Sequence, residues 1–126
     1  LNLYFGWYYR TIEGLGPYLD SLHRKHPGRP LVVSEYGADS DERIHTRAPR
    51  AFDFSTEHMQ RFHEGTLPQL LARDWLVATG VWNQFDFGSK GRHDSKPNLN
   101  QKGLHHFDRA PKDVAYFYRA RLRGEP

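Results

Sequence analysis

Three apolar, strand-like runs alternate with three helix-patterned segments in this chain, and that order restricts its fold more than any other feature. The first run, "NLYFGWYY" at residues 2–9, reads as a strand by its aromatic enrichment. The second, "PLVVSE" at residues 30–35, is short, continuous and apolar, which suits a strand buried on both faces of a parallel sheet. The third is "LVATGVWNQFDF", residues 76–87. After the first run, Leu15, Leu19 and Leu22 recur at helical spacing around Pro17, a residue suited to a first helical turn. After the second, Ser55 is the expected N-cap and Glu57 sits near the positive end of the helix dipole. Met59, Phe62, Leu67, Leu70 and Leu71 give that helix its apolar face, and Pro68 is expected to kink it or start another. A final helix over 111–122 carries Val114, Phe117, Tyr118 and Leu122 on one side. Each strand–helix unit takes roughly 40 residues, enough for a right-handed parallel crossover.

Two architectures fit this alternation: a small doubly wound sheet, or part of a (β/α)8 barrel. The long loops, Tyr36 to about Phe54 and Gly88 to about Lys102, both follow strands. In a barrel that places them at the C-terminal face, where active sites lie. A complete barrel takes about 250 residues, and this chain has 126. The chain also opens directly on a strand-like run, so residues 1–126 are expected to be a piece of a longer protein. Basic and acidic residues are interspersed around a net charge of +3, which argues against a nucleic-acid partner. No apolar run approaches the roughly 20 residues needed to cross a bilayer, so no membrane partner is expected. There is no cysteine, and the histidines show no ligand spacing. His58 and His63 stand five apart, off one helix side. No metal and no cofactor are called for. Neither G-x-S-x-G nor G-x-G-x-x-G occurs, which removes two common α/β chemistries.

Glu35 is the residue best placed for chemistry, a lone carboxylate at the end of the most buried strand-like run. An isolated strand-end glutamate is more often paired with an arginine. Here Trp7, Tyr8 and Trp82 are expected at the ends of adjacent strands. Aromatic faces beside a carboxylate suit a pyranose, whose C–H faces pack on rings while polar groups hold its hydroxyls.

"NLYFGWYY", "PLVVSEYGAD", "FDFSTEHMQRFHE", "VWNQFDFGS" and "NLNQKGLHHFDRAPKDVAYFYRARL", in this order, resemble the C-terminal half of the catalytic barrel of glycoside hydrolase family 2. The resemblance implies the last three β-α units of a (β/α)8 barrel and a retaining mechanism. It implies Glu35 as nucleophile, forming a covalent glycosyl–enzyme that water releases. Tyr4 matches a tyrosine that hydrogen-bonds the nucleophile, and Asn2 an asparagine with a positional role. Tyr8 falls at the second tyrosine of its block, and Trp82 at the tryptophan flooring the sugar subsite. Asp86 is open between binding a hydroxyl and bracing a neighbour. Asn100 and Lys102 match the pair that grips the sugar carboxylate in β-glucuronidases. The loop wording from Phe85 to Ser89, with Arg92 and the run Lys102 to Arg109, instead resembles a β-galactosidase-type branch. The expectation is therefore a terminal β-D-galactoside as substrate, with β-glucuronidase-type activity or a non-catalytic carbohydrate-binding module as alternatives.

One element of the family is missing. Its acid/base glutamate follows an asparagine, and no Asn-Glu pair occurs here. A retaining site needs a second carboxyl group about 5–5.5 Å from the first. The acid/base, the first half of the barrel and upstream sandwich domains are thus expected to lie outside these residues. Alone, the segment is expected to be inactive and to self-associate through open strand edges.

Overall fold

In the computed structural model, which describes residues 1–124, a parallel sheet forms around β1 (Leu31–Tyr36). On one side β1 pairs in parallel with β2 (Leu76–Val81), from Leu31 opposite Leu76 to Tyr36 opposite Val81. On the other side the first three residues run alongside it. The Ser34 amide donates to the Leu1 carbonyl at 2.8 Å, and the Leu3 amide to the Glu35 carbonyl at 2.8 Å. The three parallel lines thus follow chain order, and the sheet is open rather than closed. The fold is α/β with alternating β-α units, as a partial (β/α)8 barrel requires.

Pairing of the first run stops at Leu3, well short of the expected residue 9. The Trp7 amide turns back onto the Tyr4 carbonyl at 3.0 Å, and Gly6 adopts a positive φ of 84°, a conformation open to glycine at little cost. The aromatics that imitate a strand are packing residues of a turn. Trp7 is 1% exposed, against Phe54 and His58. The third run also divides, because pairing with β1 ends at Val81. Its tail forms β3 (Phe87–Gly88), antiparallel to β4 (Leu99–Asn100) within the second long loop.

Helix α1 (Leu15–Lys25) holds Pro17 in its first turn and buries Leu15 and Leu19. Helix α2 (Thr56–Leu71) starts as its sequence dictates: Ser55 Oγ accepts from the His58 amide at 3.1 Å. It continues through Pro68 rather than restarting there. Met59, Phe62, Leu67 and Leu70 are buried, but Leu71, one residue past Leu70 and therefore about 100° further round the helix, is exposed. Helix α3 (Asp113–Arg123) buries Val114 and Tyr118 and closes on Gly124 at φ 68°, whereas Leu122 faces solvent. The helices are tied by specific bonds. Arg73 forks onto Asp20 with two contacts of 2.8 Å, and Gln69 bridges the Gly16 amide and the Ile12 carbonyl. Between sheet and helices, His63 Nδ1, the Tyr118 hydroxyl and the Tyr36 hydroxyl form a buried chain with links of 2.9 Å.

Candidate active site

Both long loops leave the same end of the sheet and are laced together there. Lys96 pairs with Glu42, and Arg43 Nη2 donates to the Ser95 carbonyl at 3.1 Å. Gly37 makes the convergence feasible, since a Cβ on it would lie 2.1 Å from the Trp82 carbonyl oxygen. Gly103 does the same for the other crossing, where a Cβ would lie 2.2 Å from the Asp86 amide nitrogen. The glycines of "EYG" and "KG" are thus demanded by backbone contact.

Glu35 stands at this end, half-buried. The Tyr4 hydroxyl donates to its Oε2 at 2.7 Å. Burial, reinforced by that bond, holds the Tyr4 phenol well above its ordinary range, so it acts as a permanent donor. Asn2 lies beside Glu35 across the sheet, and its side-chain oxygen accepts from Ser34 Oγ at 2.8 Å. The edge of the Tyr8 ring meets Tyr4, with centroids 5.0 Å apart.

Lys102 is the most unusual residue here, an ammonium only 1% exposed. It pairs with the buried carboxylate of Asp39 and donates to the Tyr8 hydroxyl at 2.8 Å. Its Nζ lies 4.8, 5.5 and 5.9 Å from the ring centroids of Tyr8, Trp7 and Tyr4, a cation–π setting. One tyrosine, Tyr4, therefore touches both Glu35 and the ammonium. Asn100 Oδ1 accepts from the Lys102 amide at 3.1 Å and so fixes the turn that delivers it. Asp39 also accepts from Arg92 Nη2 at 3.1 Å and from the Gln101 amide at 3.0 Å. Burial opposes the Arg92 charge, but Asp39 and Asp94 outweigh it and hold the guanidinium above its usual range.

Trp82 follows β2 directly, its amide donating to the Tyr36 carbonyl at 2.8 Å. With Phe85, Phe87, Phe107 and Arg109 it lines a cavity of about 480 Å³. Asp86 is buried and faces inward, accepting from Lys112 Nζ at 2.8 Å and the Gly103 amide at 2.9 Å. Burial pushes its carboxyl up, and the Lys112 ammonium pulls it back. His45, exposed in the first long loop, pairs with Glu57 at 2.8 Å and does not line this cavity. Sequence reasoning gave no role to Asp39, although it closes the quoted "SEYGAD" block.

No family model matches the chain. It is 37% identical to a β-glucuronidase of Bacteroides fragilis over 94% of its length, and mammalian proteins of that name match as well. Among solved structures, Bacteroides uniformis β-glucuronidase 2 covalently bound to cyclophellitol-6-carboxylate aziridine is 46% identical over 97% of the chain, with a TM-score of 0.94. A putative β-galactosidase from Bacteroides fragilis is 30% identical, with a TM-score of 0.88 over 99% of the chain. The chain spans 18%, 15% and 20% of these three proteins. These matches overturn the expected galactosidase-type assignment, because the likeness is stronger to β-glucuronidases. The geometry explains the error. Asp86 and Lys112 form an internal ion pair, Arg109 stacks on Phe85 at 4.2 Å, and Arg92 bonds Asp39. Part of the wording that suggested a galactoside thus has internal partners that hold the loops. Over nearly its whole length, the chain is similar to one segment of β-glucuronidases.

Proposed function

We propose that this chain is the nucleophile-bearing part of a retaining β-glucuronidase, acting on terminal β-D-glucuronides in a longer protein. The observation that carries the reading is the shared contact of Tyr4 with Glu35 and with the buried Lys102 ammonium. Glu35 and the Lys102 ammonium lie either side of one tyrosine ring, the scale of a single pyranose, which supports reading them as nucleophile and carboxylate receptor. Glu35 attacks the anomeric carbon, the glycosidic bond to the leaving oxygen breaks, and water later cleaves the glycosyl ester. Tyr4 orients the attacking carboxylate. Lys102 and Asn100 receive the uronate carboxylate in a charge-assisted contact. Tyr8 borders them, Trp82 supplies the apolar floor, Asn2 fixes the backbone beside Glu35, and Asp86 braces the Gly103 turn. The acid/base comes from outside these residues. The buried acids beside the site are already committed, Asp39 to Lys102 and Arg92, and Asp86 to Lys112. The carbohydrate is thus held between this segment and the rest of the barrel, which also covers the open sheet edges.

The test uses the complete enzyme. Cyclophellitol-6-carboxylate aziridine should label Glu35, as peptide mapping would reveal, and Glu35→Gln should abolish both labelling and turnover of para-nitrophenyl β-D-glucuronide. Labelling of another carboxylate, with Glu35→Gln still active, would falsify the assignment.

A further inference from the structure

A buried ammonium paired one-to-one with a buried carboxylate is a poor receptor for a second carboxylate. The approaching anion meets attraction from one partner and repulsion from the other at nearly the same distance. Lys102 and Asp39 have side chains each 1% exposed, so taken alone they would present such a neutral pair to a uronate. Arg92 changes the count. Its Nη2 binds the same Asp39 oxygen that Lys102 binds, placing two cations on one buried carboxylate. Arg92 also donates through Nε to Asp94 at 2.7 Å. The Asp94 side chain is 34% exposed, so water screens it as it cannot screen Asp39. The Lys102 ammonium has three donors, of which Asp39 and Tyr8 take two.

We propose that Arg92 is a positioning residue for uronide selection: it neutralises Asp39, so that the Lys102 ammonium keeps an uncompensated positive charge for the substrate carboxylate. The inference rests on the proposed function, since it assigns Arg92 to the selectivity of that same site. Arg92 reaches the sugar only through Asp39 and Lys102, and its loss should act on binding of the charged substrate rather than on the chemical step.

The experiment compares two para-nitrophenyl substrates in the complete enzyme, the β-D-glucuronide and the β-D-glucoside, which differ only at C6. Arg92→Gln should raise KM for the glucuronide about tenfold while kcat stays within about threefold, as expected for losing one charged neighbour at a binding site. The glucoside constants should not change. Arg92→Lys should restore most of the glucuronide KM. Lys90→Gln, which removes an exposed cation from the same loop, should leave both substrates unaffected. The proposal is overturned if Arg92→Gln raises KM for both substrates equally, if it leaves the glucuronide KM unchanged, or if Lys90→Gln reproduces its effect. A wild-type enzyme with no preference for the glucuronide removes the proposed function, and this inference with it. A wild-type preference that survives Arg92→Gln removes the inference alone.

Discussion

Replacing Lys102 with methionine keeps the aliphatic stem among Tyr4, Trp7 and Tyr8 and deletes only the ammonium. Two consequences follow from its position, and they have different sizes. The first concerns the fold. Removing one partner of a buried ion pair typically costs about 3–5 kcal/mol, because the other charge is left uncompensated. Asp39 keeps two of its three donors, Arg92 and the Gln101 amide, so the loss of stability should fall at or below the lower end of that range. Asp39→Asn on the Lys102→Met background should recover much of it. The second concerns the substrate. Truncating the partner of a buried charge costs about 2–5 kcal/mol, or roughly 30-fold to several thousand-fold in kcat/KM for a glucuronide. The matching glucoside presents no charge at C6 and should lose less than about threefold on the same argument. Thermal midpoints and kcat/KM for both substrates, measured in wild type, Lys102→Met, Asp39→Asn and the double variant, separate the two effects. Asp39→Asn should repair stability and leave the glucuronide preference lost. An equal fall for both substrates in Lys102→Met would make the lysine a strut and refute its assignment to the uronate.

Stability should also depend on pH through His63. Burial pushes this imidazole down to about 3, with the Lys112 charge acting in the same direction. The unfolded chain, titrating near 6.5, takes up the proton first. The contribution is therefore complete above about pH 6.5 and declines as pH falls toward 3, by up to about 1.4 kcal/mol per pH unit. His58, also lowered by burial, adds to the same trend. Thermal midpoints between pH 7 and 4 should fall in wild type and fall less steeply in His63→Gln; parallel curves would show that His63 is not the group responsible. The chain of residues 1–126 alone should neither hydrolyse glucuronides nor remain monomeric, for want of an acid/base carboxyl and of cover for its sheet edges. A monomer by light scattering, with turnover that Glu35→Gln removes, would place the second carboxyl within this segment.

Local patterns were legible in the sequence where one element decides its own structure. Ser55 caps α2 because cap and helix are neighbours in the chain, and Leu15 and Leu19 mark the buried stripe of α1 by spacing alone. The limits of such patterns appear at the ends of elements. Leu71 and Leu122 are apolar, yet both face solvent, Leu71 because it stands about 100° round the helix from the buried Leu70. The run from residue 2 to 9 failed for a related reason. Aromatic enrichment reports packing on a half-buried surface, and a turn folded onto the core by Gly6 supplies that surface as well as a strand does.

The candidate site divides along the same line. Glu35 stands out as a candidate because its strand, its position and its motif coincide in one short block. The Asp39–Lys102 pair joins residues from two different loops, and no periodicity links them. Arg92 reads as a branch marker because it stands beside recognisable words, whereas its bond to Asp39 ties the second long loop to the first. The buried acids of this segment are already bonded: Asp39 serves Lys102 and Arg92 as their shared acceptor. Asp86 is also held by a lysine, although burial pushes its carboxyl up; its Oδ1 accepts from Lys112 and Gly103, and its Oδ2 faces His106 at 4.0 Å. In the proposed function the two halves of the reaction therefore lie on different parts of the protein. This segment supplies the nucleophile and the charge that reads the sugar, and proton transfer to the leaving oxygen has to arrive from a carboxyl group that the rest of the barrel brings to the face of Glu35.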